Sequence, residues 1–173
     1  MISIQKIALE ELEEFYNSKD FIKLKNKPIS SARVQSYMHN PRANKTDIVL
    51  YLAFLKKELV GYRSIWGDTI YAGEQQVSFG WLSGSWVHPK HRRKGVSTFI
   101  FKEVAADWQH KLMYTNYAES SKLLYDKTNQ FSALHSLEGK RFYIRFCLAD
   151  ILPKDCNLIR VGYEECATTV EWL

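Results

Sequence analysis

Hydrophobic positions along the 173-residue chain change period several times, and each change marks an element. Ala8, Leu9, Leu12, Phe15 and Tyr16 recur at helical spacing over residues 7–16, with glutamates on the opposite face, and predict a first helix. A second begins at Ser30 or Ser31, both good N-caps, shows Val34, Tyr37 and Met38 on one face, and ends before Pro41. Ile48 to Leu55 is an unbroken apolar run, as in a strand buried on both faces. Lys56, Lys57 and Glu58 make a polar turn, and Leu59 to Trp66 reads as the returning strand. Gly67 and Asp68 open a loop that reaches Gly73. The next strand runs from Gln76 to Val87; Gly80 and Gly84 inside it mark a bulge or a close approach to the backbone, and Pro89 closes it. Residues 95–110 are helical by pattern, with Val96, Phe99, Ile100, Val104 and Trp108 on one face. Leu112 to Tyr117 predicts a strand, Ser121 to Asn129 a helix, and Arg141 to Ile151 and Leu158 to Leu173 a β-rich ending.

This order predicts a mixed α/β sheet protein with antiparallel and parallel pairings, in a single domain over residues 1–173 with its core at 48–150. Residues 151–173 then form a final strand or an interface segment through which two copies pair, unless the chain continues beyond its apolar tail Thr169–Leu173. Composition changes this little, except that aromatic residues reach 14%, which suits a thick core, an aromatic-lined pocket or a contact surface. No apolar run approaches the roughly 20 residues of a membrane span, and acidic residues interrupt the N-terminus where a signal peptide needs an apolar core. Cys147, Cys156 and Cys166 show neither CxxC spacing nor a paired framework, so reduced thiols and a cytoplasmic location are expected.

The formal charge of +5 fits a polyphosphate ligand as well as a nucleic acid, so the placement of the charges decides. They crowd into one turn. In Ser85-Trp86-Val87-His88-Pro89-Lys90-His91-Arg92-Arg93-Lys94-Gly95-Val96-Ser97-Thr98 a strand ends, basic residues cluster, and a glycine leads into a helix. A helix start exposes unpaired N–H groups at the positive end of its dipole. Gly95 lets the backbone approach a bulky ligand, Ser97 leaves the first turn uncovered, and Arg92, Arg93 and Lys94 add charge-assisted hydrogen bonds. A solvated basic loop is the plainer reading of such a run, and a nucleic-acid surface would spread its charge along a face. His88 and His91 lack a third ligand in this cationic loop, so no metal site is expected.

Val87, Pro89, Arg92, Gly95 and Ser97 resemble the acyl-coenzyme A signature of the GCN5-related N-acetyltransferases, V-x-P-x-x-[QR]-x-x-G-x-[GA], with Ser97 at the position of the usual glycine or alanine. Asn116 and the segment Ser120 to Phe131 resemble the downstream motif N…A-x-x-L-Y-x-K-x-G-F, with Asn129-Gln130 before Phe131. The resemblance covers residues 48 to 131 well and the region after 150 poorly. It implies a bent mixed sheet flanked by helices, with acetyl-CoA as co-substrate. N–H groups of residues 93 to 98, among them Val96 and Thr98, would hold the pyrophosphate. Ser85, Trp86 and Val87 would pair with the pantetheine arm, Asn116 would touch the pantetheine or phosphate region, and Tyr125 would be the general acid for the leaving thiolate. Alone, Tyr125 would read as a ring packed on an amphipathic helix.

The acceptor implied is a primary amine of a small molecule or peptide. Its attack needs the neutral amine, because an alkylammonium has a pKa of about 10.4. A backbone N–H of the bulged strand near Val87 would take the oxyanion. No carboxylate lies within Gln76 to Val87. Glu74, immediately ahead of that strand, is the preferred base over Glu119, Asp68 or a water chain. Trp66, Trp81 and Trp86 are candidates for the acceptor pocket, and equally for the core. Two other functions would leave this pattern: an acyl-CoA-binding module without turnover, and a basic nucleic-acid-binding domain.

Overall fold

The computed structural model describes residues 2–115 and 119–132. In chain order these form β1 (Ile2–Ala8), α1 (Leu12–Asn17), α2 (Lys19–Lys23), α3 (Ser31–Met38), β2 (Ile48–Leu55), β3 (Glu58–Ala72), β4 (Gln75–Val87), α4 (Val96–Asp107), β5 (Leu112–Met113) and α5 (Glu119–Thr128). The strands make one sheet in the order β1-β2-β3-β4-β5, antiparallel throughout except that β5 runs parallel to β4. That is the mixed sheet with flanking helices expected from the sequence.

The apolar run of β2 is buried because both faces of the sheet are covered. Tyr51 and Ala53 join α4 and Tyr125 in one core, while Leu50 and Leu52 join Leu12, Phe15, Phe21 and Val34 of α1, α2 and α3 in the other. Local chemistry starts α2 and α3, the second of them at the serine cap expected from the sequence. Ser18 Oγ accepts the Phe21 N–H at 3.1 Å, and Ser30 Oγ accepts the Arg33 N–H at 3.4 Å.

Three expectations are corrected. The first helix does not start at residue 7, because Ile2–Ala8 alternates its burial and pairs with β2 as an edge strand, so the sheet begins well before residue 48. The Lys19–Lys23 turn of helix was not expected at all. The loop at 67–73 is instead a continuation of β3, paired with β4 out to Ala72↔Gln75. Gly67 reads as a breaker, yet a Cβ there would come within 3.0 Å of Ala43 Cβ and Asp47 Oδ2, so glycine serves a close approach inside a strand.

No helix among the described residues is long and apolar enough to cross a membrane. Residues 116–118 and 133–173 lie outside the described residues, and with them Asn116, the three cysteines, the β-rich ending and the pairing segment expected at 151–173.

Candidate active site

The site begins with a fault in the sheet. Arg63 pairs with Ser85 and Ile65 with Leu82, so the single Ser64 of β3 faces both Ser83 and Gly84 of β4. This bulge lies three to four residues ahead of Val87, where the oxyanion donor was expected. On the other side of β4, pairing with β5 among the described residues covers Gly80↔Leu112 and Trp81↔Met113. Beyond Trp81 a cavity of about 460 Å³ opens, lined by Arg33, Trp66, Trp81, Leu82, Ser83 and Thr115. Two of the three tryptophans named from the sequence therefore reach the cavity, whereas Trp86 stacks on Tyr62 at 5.8 Å.

Following β4 leads to the basic turn. His88 N–H donates to Val60 O at 2.9 Å, Pro89–His91 forms one tight turn, and Arg92 Nε donates to Val87 O at 3.3 Å. Arg93 and Gly95 both adopt left-handed backbone, at φ 60° and 79°. Gly95 is the N-cap of α4, has no side chain to cap it, and would place a Cβ in open space. The first bond of the helix runs from Phe99 N–H to Gly95 O at 2.9 Å, which leaves the N–H groups of Val96, Ser97 and Thr98 without intrahelical partners. Val96 itself is buried against Gly61 of β3, where an added Cβ would come within 3.0 Å of Val96 Cγ1, so the start of α4 is fixed to the sheet. Lys90, Arg92, Arg93 and Lys94 are exposed, and none forms an ion pair among the described residues.

The third component was missed in the sequence. Arg63 is only 1% exposed, yet among the described residues no carboxylate pairs with it. Its Nη1 donates to the Tyr125 hydroxyl at 3.0 Å and its Nη2 to Ser85 Oγ at 3.3 Å, with the guanidinium 5.8 Å from the Tyr125 ring centre. A guanidinium can only donate, so the Tyr125 oxygen accepts and its own proton remains free for another acceptor. The Tyr125 ring is held by Tyr114 (4.6 Å, stacked), Phe131 (5.2 Å) and Phe101 (6.1 Å). The signal available was a charged residue in the middle of the mostly apolar strand Leu59–Trp66.

Glu74 is not brought to this site. It lies in the tight turn between β3 and β4, seven strand residues from Trp81, or about 23 Å at the usual rise. The preferred base is corrected on that ground. Asp68 stands nearer, but its carboxylate is already occupied by Trp81 Nε1 at 2.9 Å, the Thr69 N–H at 2.8 Å and Arg42 Nη1 at 3.2 Å. Burial alone would raise the Asp68 carboxyl, but these donors outweigh it and hold it below the usual carboxylate value. A carboxylate so held is a weak base.

The model of the acetyltransferase (GNAT) family matches residues 4–127. Among solved structures, a predicted acetyltransferase from Clostridium acetobutylicum determined with acetyl-CoA superposes with a TM-score of 0.55 at 14% identity, covering 81% of this chain and 96% of that one. The aminoglycoside antibiotic 6'-N-acetyltransferase AAC(6')-IG from Acinetobacter haemolyticus superposes with a TM-score of 0.51 at 18% identity, covering 83% and 99%. At these identities the likeness is one of fold. No curated protein is a significant sequence match.

Proposed function

Because the chain belongs to the acetyltransferase (GNAT) family, we propose that it transfers an acetyl group from acetyl-CoA to a primary amine within one ternary complex. The observation that carries this reading is the start of α4: a left-handed, uncapped Gly95 with open space above it, reached by a short turn from a strand whose pairing with β5 stops at Trp81 among the described residues. N–H groups without intrahelical partners and four cations with no ion pair among the described residues suit a pyrophosphate, and the cavity beside β4 suits an extended arm bound like an added strand. Acetyl-CoA supplies the activated thioester. Val96, Ser97 and Thr98 offer backbone donors to its phosphates, and Arg92, Arg93 and Lys94 offer charge. The backbone of Ser85, Trp86 and Val87 faces the arm.

The bulge at Ser83–Gly84 sets extra backbone polar groups at the mouth of the cavity, the natural donors for an oxyanion. Tyr125 gives its free proton to the departing thiolate and regains one from water. Thiols near pKa 8.5 leave readily, so this help is worth less than positioning. No carboxylate lines the cavity among the described residues, so the amine proton passes to solvent. A 460 Å³ hollow favours a small-molecule acceptor over a protein segment. A reaction that draws on acetyl-CoA fits a cytoplasmic enzyme.

The test is calorimetric titration with acetyl-CoA of wild type, Gly95→Ala and Gly95→Trp. Both variants bear the same left-handed backbone cost of about 1 kcal/mol, so only the larger side chain reports a blocked cradle. Micromolar binding by wild type, a modest loss in Gly95→Ala and a loss of at least about 10-fold more in Gly95→Trp are expected. A folded wild type that does not bind acetyl-CoA would sink the reading.

A further inference from the structure

The acceptor cavity has one charged residue among its described lining, and it is a cation. Arg33, fixed at the start of α3 by the Ser30 cap, lies across the bulge and donates from Nη2 to Ser83 Oγ. A Cβ on Gly84 would stand 2.9 Å from Arg33 Nη1 and 3.0 Å from Ser64 Oγ, so the bare backbone of Gly84 leaves the space that the guanidinium fills. Of five N–H donors on Arg33, Ser83 takes one, and no carboxylate pairs with it among the described residues. The nearby acid, Asp68, is committed to Trp81, Thr69 and Arg42. Arg33 therefore presents unused planar donors beside the backbone proposed to hold the oxyanion.

Resting on the acetyltransferase reading, we propose that the acceptor is a small amine that also carries a carboxylate, of the amino-acid kind, with Arg33 as the residue that selects it. A planar guanidinium matches a carboxylate in two hydrogen bonds, which orients as well as holds. Trp66 and Trp81 offer flat apolar walls to the remainder of the molecule. The same contact prepares the nucleophile. A free carboxylate stabilises the neighbouring ammonium; Arg33 neutralises that charge and so favours the neutral amine, in a cavity whose described walls hold no base. The amine nitrogen then bonds to the acyl carbon as the carbon–sulfur bond breaks. The sulfur takes a proton, and the nitrogen loses one to water. The products are an N-acetyl carboxylate and coenzyme A. A polycationic aminosugar would meet Arg33 as a like charge.

The experiment compares acceptors that differ only in the carboxylate, L-phenylalanine against phenethylamine and L-tryptophan against tryptamine, with an aminoglycoside as the polycationic probe. Wild type should favour each carboxylate-bearing partner by about 10- to 100-fold in kcat/KM. In Arg33→Gln the preference should vanish, chiefly through KM of the acid, and Arg33→Lys should restore part of it. Acetyl-CoA affinity, measured by titration, reports that each variant is folded. Equal turnover of the paired amines, preference for the aminoglycoside, or no acetylation of either amino acid by enzyme that binds acetyl-CoA would each overturn the proposal. Failure to bind acetyl-CoA would instead strike the function on which it rests.

Discussion

Arg63 illustrates what one residue adds to the site. Burying a guanidinium without a counter-ion costs several kcal/mol, and two hydroxyl acceptors with a ring at 5.8 Å return only part of that. A methionine of similar volume would fill the position at little cost in stability. Arg63 touches Tyr125 and Ser85, so under the proposed function it is a positioning residue that would occupy the Tyr125 oxygen and leave the phenolic proton for the thiolate. Arg63→Met is expected to lower kcat by about 10-fold or more, with the KM for acetyl-CoA changed by less than about 3-fold. Because it acts through Tyr125, the double variant Arg63→Met/Tyr125→Phe should be no slower than Tyr125→Phe alone. Kinetic effects that simply multiply would show that Arg63 serves another purpose.

At the scale of elements, glycines decide where strands and helices meet. Gly80 lies under the end of α4, where a Cβ would come 2.5 Å from Ile65 Cγ2 and 3.0 Å from the Trp108 ring. Neither neighbour is a free-swinging chain end, since Trp108 Nε1 is bonded to Ile48 O at 3.1 Å and Ile65 is fully buried. Gly80→Ala should therefore lower the unfolding free energy by about 1–3 kcal/mol in urea titration. It should also disturb the two-residue pairing with β5 that sets where the cavity opens. A neutral result would mean that α4 moves easily on the sheet. The same residues explain what could be read in advance. β2 was legible because burial on both faces demands an unbroken apolar run, α4 because burial of one face imposes a helical period, and the basic turn because a left-handed helix cap demands Gly95. Gly67 and Asp68 misled because a strand glycine facing Ala43 and an aspartate bonded to Trp81 look locally like a turn. The roles of Arg33 and Arg63 depend on register across a bulge, which no local pattern encodes.

Across the molecule, Asp68 ties the segment leading to β2, through Arg42, to the paired strands β3 and β4, where it also holds the Trp81 wall of the cavity. Its carboxyl is held below the ordinary value, so the unfolded chain binds the proton more readily than the folded one. Stability from Asp68 is then fully present above the unfolded value near pH 4 and is lost as pH falls through the lower folded value. Asp68→Asn should lower stability at neutral pH and narrow the gap to wild type between about pH 5 and pH 3, because the variant has no such proton to take up. Urea unfolding at several pH values measures that gap. Fluorescence of Trp81 should also shift in wild type on acidification, as the indole N–H loses its charged acceptor, and be unresponsive in the variant. A gap that stays constant with pH would show that Asp68 is no more acidic folded than unfolded. The wall of the acceptor cavity would then be held by packing of Trp81 against Phe79 rather than by charge.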